Sequence, residues 1–375
     1  MSGPEPGRAW ARIDTGAVEA NAGALKRAVG EGVELCAVVK ADAYGHGAAP
    51  CAAAAMRGGA TRLAVAAAAE AEELRQHFPE APLFVMGALS ERDLSRALDA
   101  GAEVAVWREG FRALCSRMAA QRGESVRLHV KHDSGMGRLG ERDPELVLGL
   151  ARACAEDDGL ELAGAWTHFA IADELGDPFL DEQLEAFAPV AERVRELAPG
   201  AIVHAANSAA TLRDPRTHFD MVRCGVALYG MDPFQGDPAE RGLAPALELR
   251  SYVADVKRFP AGASAGYGRS WRAEAETWVG VLPIGYGDGV RRALSNNGEV
   301  LVRGRRRPIV GTISMDNLTL DLGPETDVEP GDEAVLIGPQ GEERIRAEEL
   351  AAALETINYE ITCGVSPRVP RSHAR

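Results

Sequence analysis

The chain has 375 residues, 26% of them charged, and a formal net charge of −15. That length accommodates two domains, or one large one, with a sizeable core. An acidic protein repels phosphate backbones, which argues against a nucleic-acid partner. The most alanine-rich stretch, 47–55, contains Pro50 and is far too short to span a bilayer.

Residues 1–8 carry no apolar core of the signal-peptide kind. Short apolar runs then recur at 35–40, 63–67, 83–87, 104–107, 126–133, 162–169, 202–207 and 221–226, with helical stretches between them. Ser90-x-x-Asp93 resembles a capping box, and Asp143-Pro144-Glu145 places an N-cap before a proline at the first helical position. Eight strands alternating with helices predict an α/β fold, a closed (β/α)8 TIM-like barrel over 1–241. A doubly wound open sheet is the alternative. After Leu243-Ala244-Pro245 the texture changes. Segments 251–258, 277–284, 300–303 and 334–337 are strand-like, separated by turn signals such as Asn297-Gly298, Pro330-Gly331 and Gln340-Gly341. One helical stretch covers 346–355. These features predict a smaller, mostly β domain over 242–375. The basic run Arg303-Gly304-Arg305-Arg306-Arg307 lies between apolar segments and reads as a solvated hairpin turn. Six scattered cysteines with no C-x-x-C pair suit reduced core thiols in a cytoplasmic protein, and the histidines show no metal-ligand spacing.

In a parallel barrel the working groups gather at the C-terminal ends of the strands. Lys40 ends the first apolar run. Half-desolvated there, its ammonium loses a proton more easily, and the free amine can form a Schiff base with an aldehyde cofactor such as pyridoxal phosphate. Arg138 follows the fifth run, within Gly135-Met136-Gly137-Arg138-Leu139-Gly140. This fits G-x-G-x-x-G, yet a dinucleotide fingerprint opens a helix directly after the first strand of its unit. Here the helix signal waits until Asp143-Pro144, so the glycines read as a tight loop presenting Arg138 to a carboxylate. His168 ends the sixth run, Asn207 and Ser208 the seventh, and Arg223, Gly225 and Val226 lie on the eighth. The hydroxyl of Ser208 and the N–H groups of Gly225 and Val226 suit a phosphate, which barrels commonly bind after strands seven and eight.

Residues 37–47, Arg223-Cys224-Gly225-Val226-Ala227-Leu228-Tyr229-Gly230, Leu282-Pro283-Ile284-Gly285-Tyr286-Gly287-Asp288-Gly289, Ser314-Met315-Asp316 and Thr356-Ile357-Asn358-Tyr359-Glu360 together resemble the alanine racemases, a pyridoxal-phosphate family of barrel-plus-β-domain type. The likeness runs from Trp10 to Arg371. It implies that Lys40 carries the cofactor, that Tyr44, Ser208, Gly225, Val226 and Tyr359 hold its phosphate, and that Arg223 faces the pyridine nitrogen. His168 and Asn207 join the cofactor-binding set. Arg138 touches the cofactor's phenolic oxygen and the substrate carboxylate. Tyr267 matches the second catalytic base, and Met315 and Asp316 the substrate-binding segment. The family supplies Tyr267 and the Met315 N–H from the other subunit of a homodimer. Asp173, Tyr286 and Arg292 match a layer at the substrate entrance, and Lys131 a lysine often found carbamylated. Cys224, Gly287 and Thr312 depart from common family residues, and the departure at Thr312 bears on the charge of the entrance.

The resemblance thus implies interconversion of L- and D-alanine in the cytoplasm, supplying D-alanine for peptidoglycan. Racemisation removes the α-proton from one face and returns it to the other, so two bases are needed: Lys40 and Tyr267, the latter helped by His168 and Arg223. A decarboxylase of similar fold and a non-catalytic cofactor carrier are the competing readings. Serine differs from alanine by one hydroxyl, which a small pocket rejects poorly.

Overall fold

The computed structural model describes residues 7–375. Most of the 1–8 segment read for signal-peptide character lies outside that range. The chain divides into two compact units. One comprises Val18–Ala43 and Ala48–Leu228; the other comprises the chain through Ala17, Tyr44–Gly47 and Tyr229–Arg375.

In the first unit all eight apolar runs are strands: Glu34–Val38, Arg62–Val65, Leu83–Val85, Glu103–Val106, Val126–Lys131, Leu160–Trp166, Ile202–His204 and Met221–Cys224. They form a closed barrel, sealed by parallel pairing of the first with the last, Glu34 opposite Met221. Leu35, Leu63, Leu83, Val104, Leu128 and Val203 are fully buried. Burial on both faces is why these runs read as continuously apolar. Several strands stop short of the expected bounds. Asp133, His168 and Asn207 lie beyond the ladder, in the loops at its C-terminal end, and Lys40 opens the short helical segment Lys40–Gly45. Both helix starts hold: Ser90 Oγ accepts from the Asp93 N–H at 3.1 Å, and Asp143 Oδ1 accepts from the Glu145 N–H at 2.9 Å.

The second unit is mostly β. Its larger sheet runs Arg305–Pro308, Glu299–Val302, Glu333–Gln340, Leu247–Tyr252, Ala9–Asp14, Arg371–Ala374, with Glu343–Ile345 paired onto Glu333–Gln340. Asp255–Phe259, Thr277–Leu282 and Leu318–Gly323 form a smaller sheet. The run 251–258, expected as one strand, is two. The Val253 N–H donates to Asp332 O at 2.8 Å and the Ala254 N–H to Val281 O at 2.7 Å. Adjacent residues thus bond to different sheets, and the chain changes sheet between them. The basic run is a hairpin, as expected, but only Arg303 and Gly304, with φ of 51° and 69°, are its turn. Such a two-residue turn with positive φ matches strand twist. Arg305–Pro308 is a strand, and Arg306 pairs with Glu299, Glu343 and Glu349 at 2.9–3.1 Å. Five cysteines are buried; Cys363 is exposed and is no core thiol. No described helix is long and apolar enough to cross a membrane.

Candidate active site

The turn after the first barrel strand is strained. The Val39 N–H still donates to Ala64 O, at 2.9 Å. Lys40 follows, half-buried, and then Ala41, Asp42, Ala43 and Tyr44 all take φ of 52–56°. A left-handed conformation costs L-residues about 1–2 kcal/mol each. Two carboxylates hold the turn: Glu70 Oε1 accepts from the Ala41 N–H at 2.6 Å, and Asp42 Oδ1 from the Ala48 N–H at 2.8 Å. Strain of this kind persists where surrounding structure over-determines it, commonly at functional sites.

Positive charge collects around His168. Lys131, buried at the end of the fifth strand, sets its Nζ 3.4 Å from the centroid of the Trp166 ring, and the Arg223 guanidinium lies 5.0 Å from the same ring. Arg223 is buried and donates to Thr167 O and Ala205 O at 2.9 Å, to His204 Nδ1 at 2.9 Å and to His168 Nδ1 at 3.2 Å. Burial, then the nearby Arg223 and Arg138, bring the Lys131 pKa down to about 6. Burial, Arg223, Lys131, Arg138 and Lys40, in that order, hold His168 neutral, far below the usual histidine range. Four basic side chains therefore converge in a protein of net charge −15, and burial beside the other three discharges one of them, Lys131. Such a concentration of desolvated positive charge is relieved by an anionic ligand.

Arg138 is exposed, on the loop the glycines shape. Asp133 Oδ1 accepts from the N–H groups of Gly135 and Gly137 at 3.2 and 2.9 Å, and the helix begins only at Pro144. A Cβ at Gly140 would lie 2.8 Å from Asp133 N. Asn207 caps the helix Ser208–Arg213 through the Ala210 N–H at 2.9 Å. Ser208 Oγ accepts from the N–H groups of Gly225 and Ala227 at 3.0 and 3.4 Å, beside the turn that starts at buried Val226. Asp173 is exposed on a loop whose carbonyls at Ile171, Ala172 and Glu174 accept from Arg213.

In the second unit, the rings of Tyr44 and Tyr359 lie 5.9 Å apart, and a Cβ at Gly45 would meet Thr362 O at 2.3 Å. Tyr267 is 75% exposed and Met315 52%. The Thr312 hydroxyl donates to Tyr267 O at 2.8 Å, and a Cβ at Gly266 would meet Thr312 N at 2.6 Å. Met315 O accepts from the Gly287 N–H at 2.9 Å, and Asp316 pairs with Arg368 at 2.5 Å. Tyr286 and Arg292 are exposed, each opening a short 3-10 turn.

The family model for the alanine racemase N-terminal domain matches residues 13–233, and that for the C-terminal domain matches 246–373. The chain belongs to the alanine racemase family. It is a racemase, an isomerase. An alanine racemase of Symbiobacterium thermophilum is 44% identical over 363 residues, 96% of each chain. Alanine racemase 1 of Bacillus subtilis is 40% identical, covering 96% of this chain and 92% of that one. Among solved structures, the alanine racemase of D-cycloserine-producing Streptomyces lavendulae superposes with a TM-score of 0.93 at 39% identity, covering 99% and 98% of the two chains. That of Bacillus anthracis with bound L-Ala-P gives 0.90 at 37% identity, covering 100% and 96%.

Sequence reasoning missed Trp166, His204, His129 and Glu103, which line or back the cationic cluster, and the hold of Thr312 on Tyr267. One signal was available. Arg127, His129 and Lys131 alternate along one strand, and a period of two puts them on one face. Polar residues at that period in a barrel strand mark the face turned toward other polar groups.

Proposed function

We propose that the protein interconverts L- and D-alanine by two-base α-proton transfer with pyridoxal 5'-phosphate as cofactor. The observation that carries this reading is the convergence of Lys40, Lys131, Arg138 and Arg223 on neutral His168 at the barrel's C-terminal end. The donor set fits that cofactor: a Ser208 hydroxyl whose oxygen accepts from the Gly225 N–H, leaving its proton for a phosphate, with the Gly225–Val226 backbone beside it, and a primary amine at Lys40 on a braced, strained turn. When bound, pyridoxal 5'-phosphate supplies an aldehyde for attachment to an amine and an electron sink for the α-carbon.

The residues then divide the work. Lys40 anchors the cofactor and moves the α-proton on one face; Tyr267 moves it on the other. Asn207, Ser208, Gly225, Val226, Tyr44 and Tyr359 hold the cofactor. Arg138 grips the substrate carboxylate, with the N–H of Met315 and with Asp316. Arg223 would donate to the ring nitrogen and, being a guanidinium that cannot give up its proton, would leave it unprotonated. A glutamate there would suit a decarboxylase better. Asp173, Tyr286 and Arg292 line the entrance. Lys131, uncharged at neutral pH, is reactive toward carbon dioxide, and its carbamate would lend Arg138 a negative partner. The chain leaves the barrel unit at Leu228, ahead of the expected boundary near 242, and the C-terminal part would hand Tyr267 and Met315 to the partner subunit of a homodimer. The exposure of both side chains supports that handover. The reading extends to a cytoplasmic enzyme supplying D-alanine for peptidoglycan.

Incubating purified protein with L-alanine and L-serine in D2O tests the reading. We expect D-alanine labelled at the α-carbon, some D-serine beside it because one added hydroxyl is rejected poorly, and a pyridoxyl label on the Lys40 peptide after borohydride reduction. Absence of that label would sink the cofactor assignment.

A further inference from the structure

A line of buried polar side chains crosses the barrel interior from Arg223 to the N-terminal end of the fourth strand. Arg223 Nη1 donates to His204 Nδ1 at 2.9 Å, His204 Nε2 meets His129 Nδ1 at 2.9 Å, and His129 Nε2 meets Glu103 Oε2 at 2.8 Å. A guanidinium only donates. His204 Nδ1 must therefore accept, which leaves its proton on Nε2. That proton is donated to His129 Nδ1, and the same logic puts the His129 proton on Nε2, aimed at the carboxylate. Every donor in the line points toward Glu103.

The surroundings keep the line in place. His204 stacks on Trp166, with centroids 5.8 Å apart and planes 8° apart, and Phe84 packs against both imidazoles at 4.5 and 5.5 Å. Gly164 makes room: a Cβ there would lie 2.4 Å from His129 Nδ1. Burial foremost keeps both histidines neutral. Burial of Glu103 opposes its charge, but the His129 hydrogen bond and the Arg62 and Arg127 guanidiniums outweigh it and hold its pKa at about 2. Arg62 Nη1 lies 2.5 Å from Glu103 Oε2.

We propose that Glu103 is a positioning residue for Arg223: through His129 and His204 it selects the one tautomer chain that accepts the Arg223 N–H. Were either imidazole to carry its proton on Nδ1, two donors would face each other, and Arg223 would lose its Nη1 anchor. The consequence for catalysis rests on the racemase reading above; the tautomer chain itself does not.

Nitrogen-15 NMR of the full-length protein labelled in histidine tests it. In the wild type, His129 and His204 should both appear as neutral Nε2–H imidazoles; an Nδ1–H or doubly protonated signal from either would overturn the proposal. Removing both members of the buried pair, Arg62→Met with Glu103→Leu, limits the folding cost and deprives the His129 N–H of its acceptor. We expect the single tautomer to be lost and kcat for alanine to fall on the order of ten-fold, as for other orienting partners, with KM changed less than about two-fold. Glu103→Gln keeps an acceptor oxygen and should keep the tautomers. Unaltered histidine signals and unaltered kcat in the double variant would overturn the role. A wild type that does not racemise alanine would remove the catalytic reading and leave the histidine signals to decide the rest.

Discussion

Lys131 has an indole face beneath it and guanidiniums beside it, and it shows what the barrel end does to a charge. Its pKa falls from 10.5 to about 6 on folding. The unfolded chain therefore takes up a proton between those values, and stability rises with pH through that window. In CO2-free buffer, the urea midpoint should be higher at pH ~9 than at pH ~6.5, and Lys131→Met should shrink the difference. With labelled bicarbonate, a carbamate carbon signal should appear in the wild type and be missing from that variant. Tyr267→Phe should cut racemisation by roughly 10²–10⁴, the usual worth of a positioned base, while deuterium exchange into D-alanine continues through Lys40. Normal racemisation by the variant would remove Tyr267 as a base.

At the scale of elements, the left-handed turn and the loops around it depend on space as much as on dihedral angle. Gly45 and Gly262 have nearly equal φ, 85° and 83°, but a Cβ would strike Thr362 O at 2.3 Å at the first and meet nothing within 4 Å at the second. Gly262→Ala should cost about 1 kcal/mol, and Gly45→Ala more than about 2 kcal/mol, read from urea unfolding. Equal costs would mean that the Thr362 carbonyl gives way freely. The eight barrel strands were legible because burial on both faces leaves an unbroken apolar signature. Strands such as Ala9–Asp14 and Arg371–Ala374 were not, since the first is interrupted by polar residues, the second has no buried residue, and each pairs with segments far away in sequence. The change of sheet at Val253–Ala254 was invisible for a similar reason: both halves are strand-like, and only their partners differ.

For the whole molecule, the motifs carried more of the site than the physics of single residues could. Lys40 and His168 could be placed at strand ends, and Arg223 on the last strand, from the apolar runs alone. The line from Arg223 to Glu103 could not, because it joins residues on four strands whose facing is fixed only when the barrel closes. Tyr267 is a different case: its exposure makes sense when a second subunit covers it. That gives the sharpest test. Lys40→Ala and Tyr267→Phe should each be inactive as homodimers. Unfolded together and refolded in equal amounts, half the dimers are mixed, and each mixed dimer has one intact site of two. The account predicts recovery of about a quarter of wild-type activity, from the statistics of a two-fold dimer. Mixed dimers that form, as mass spectrometry would show, yet stay silent would contradict it.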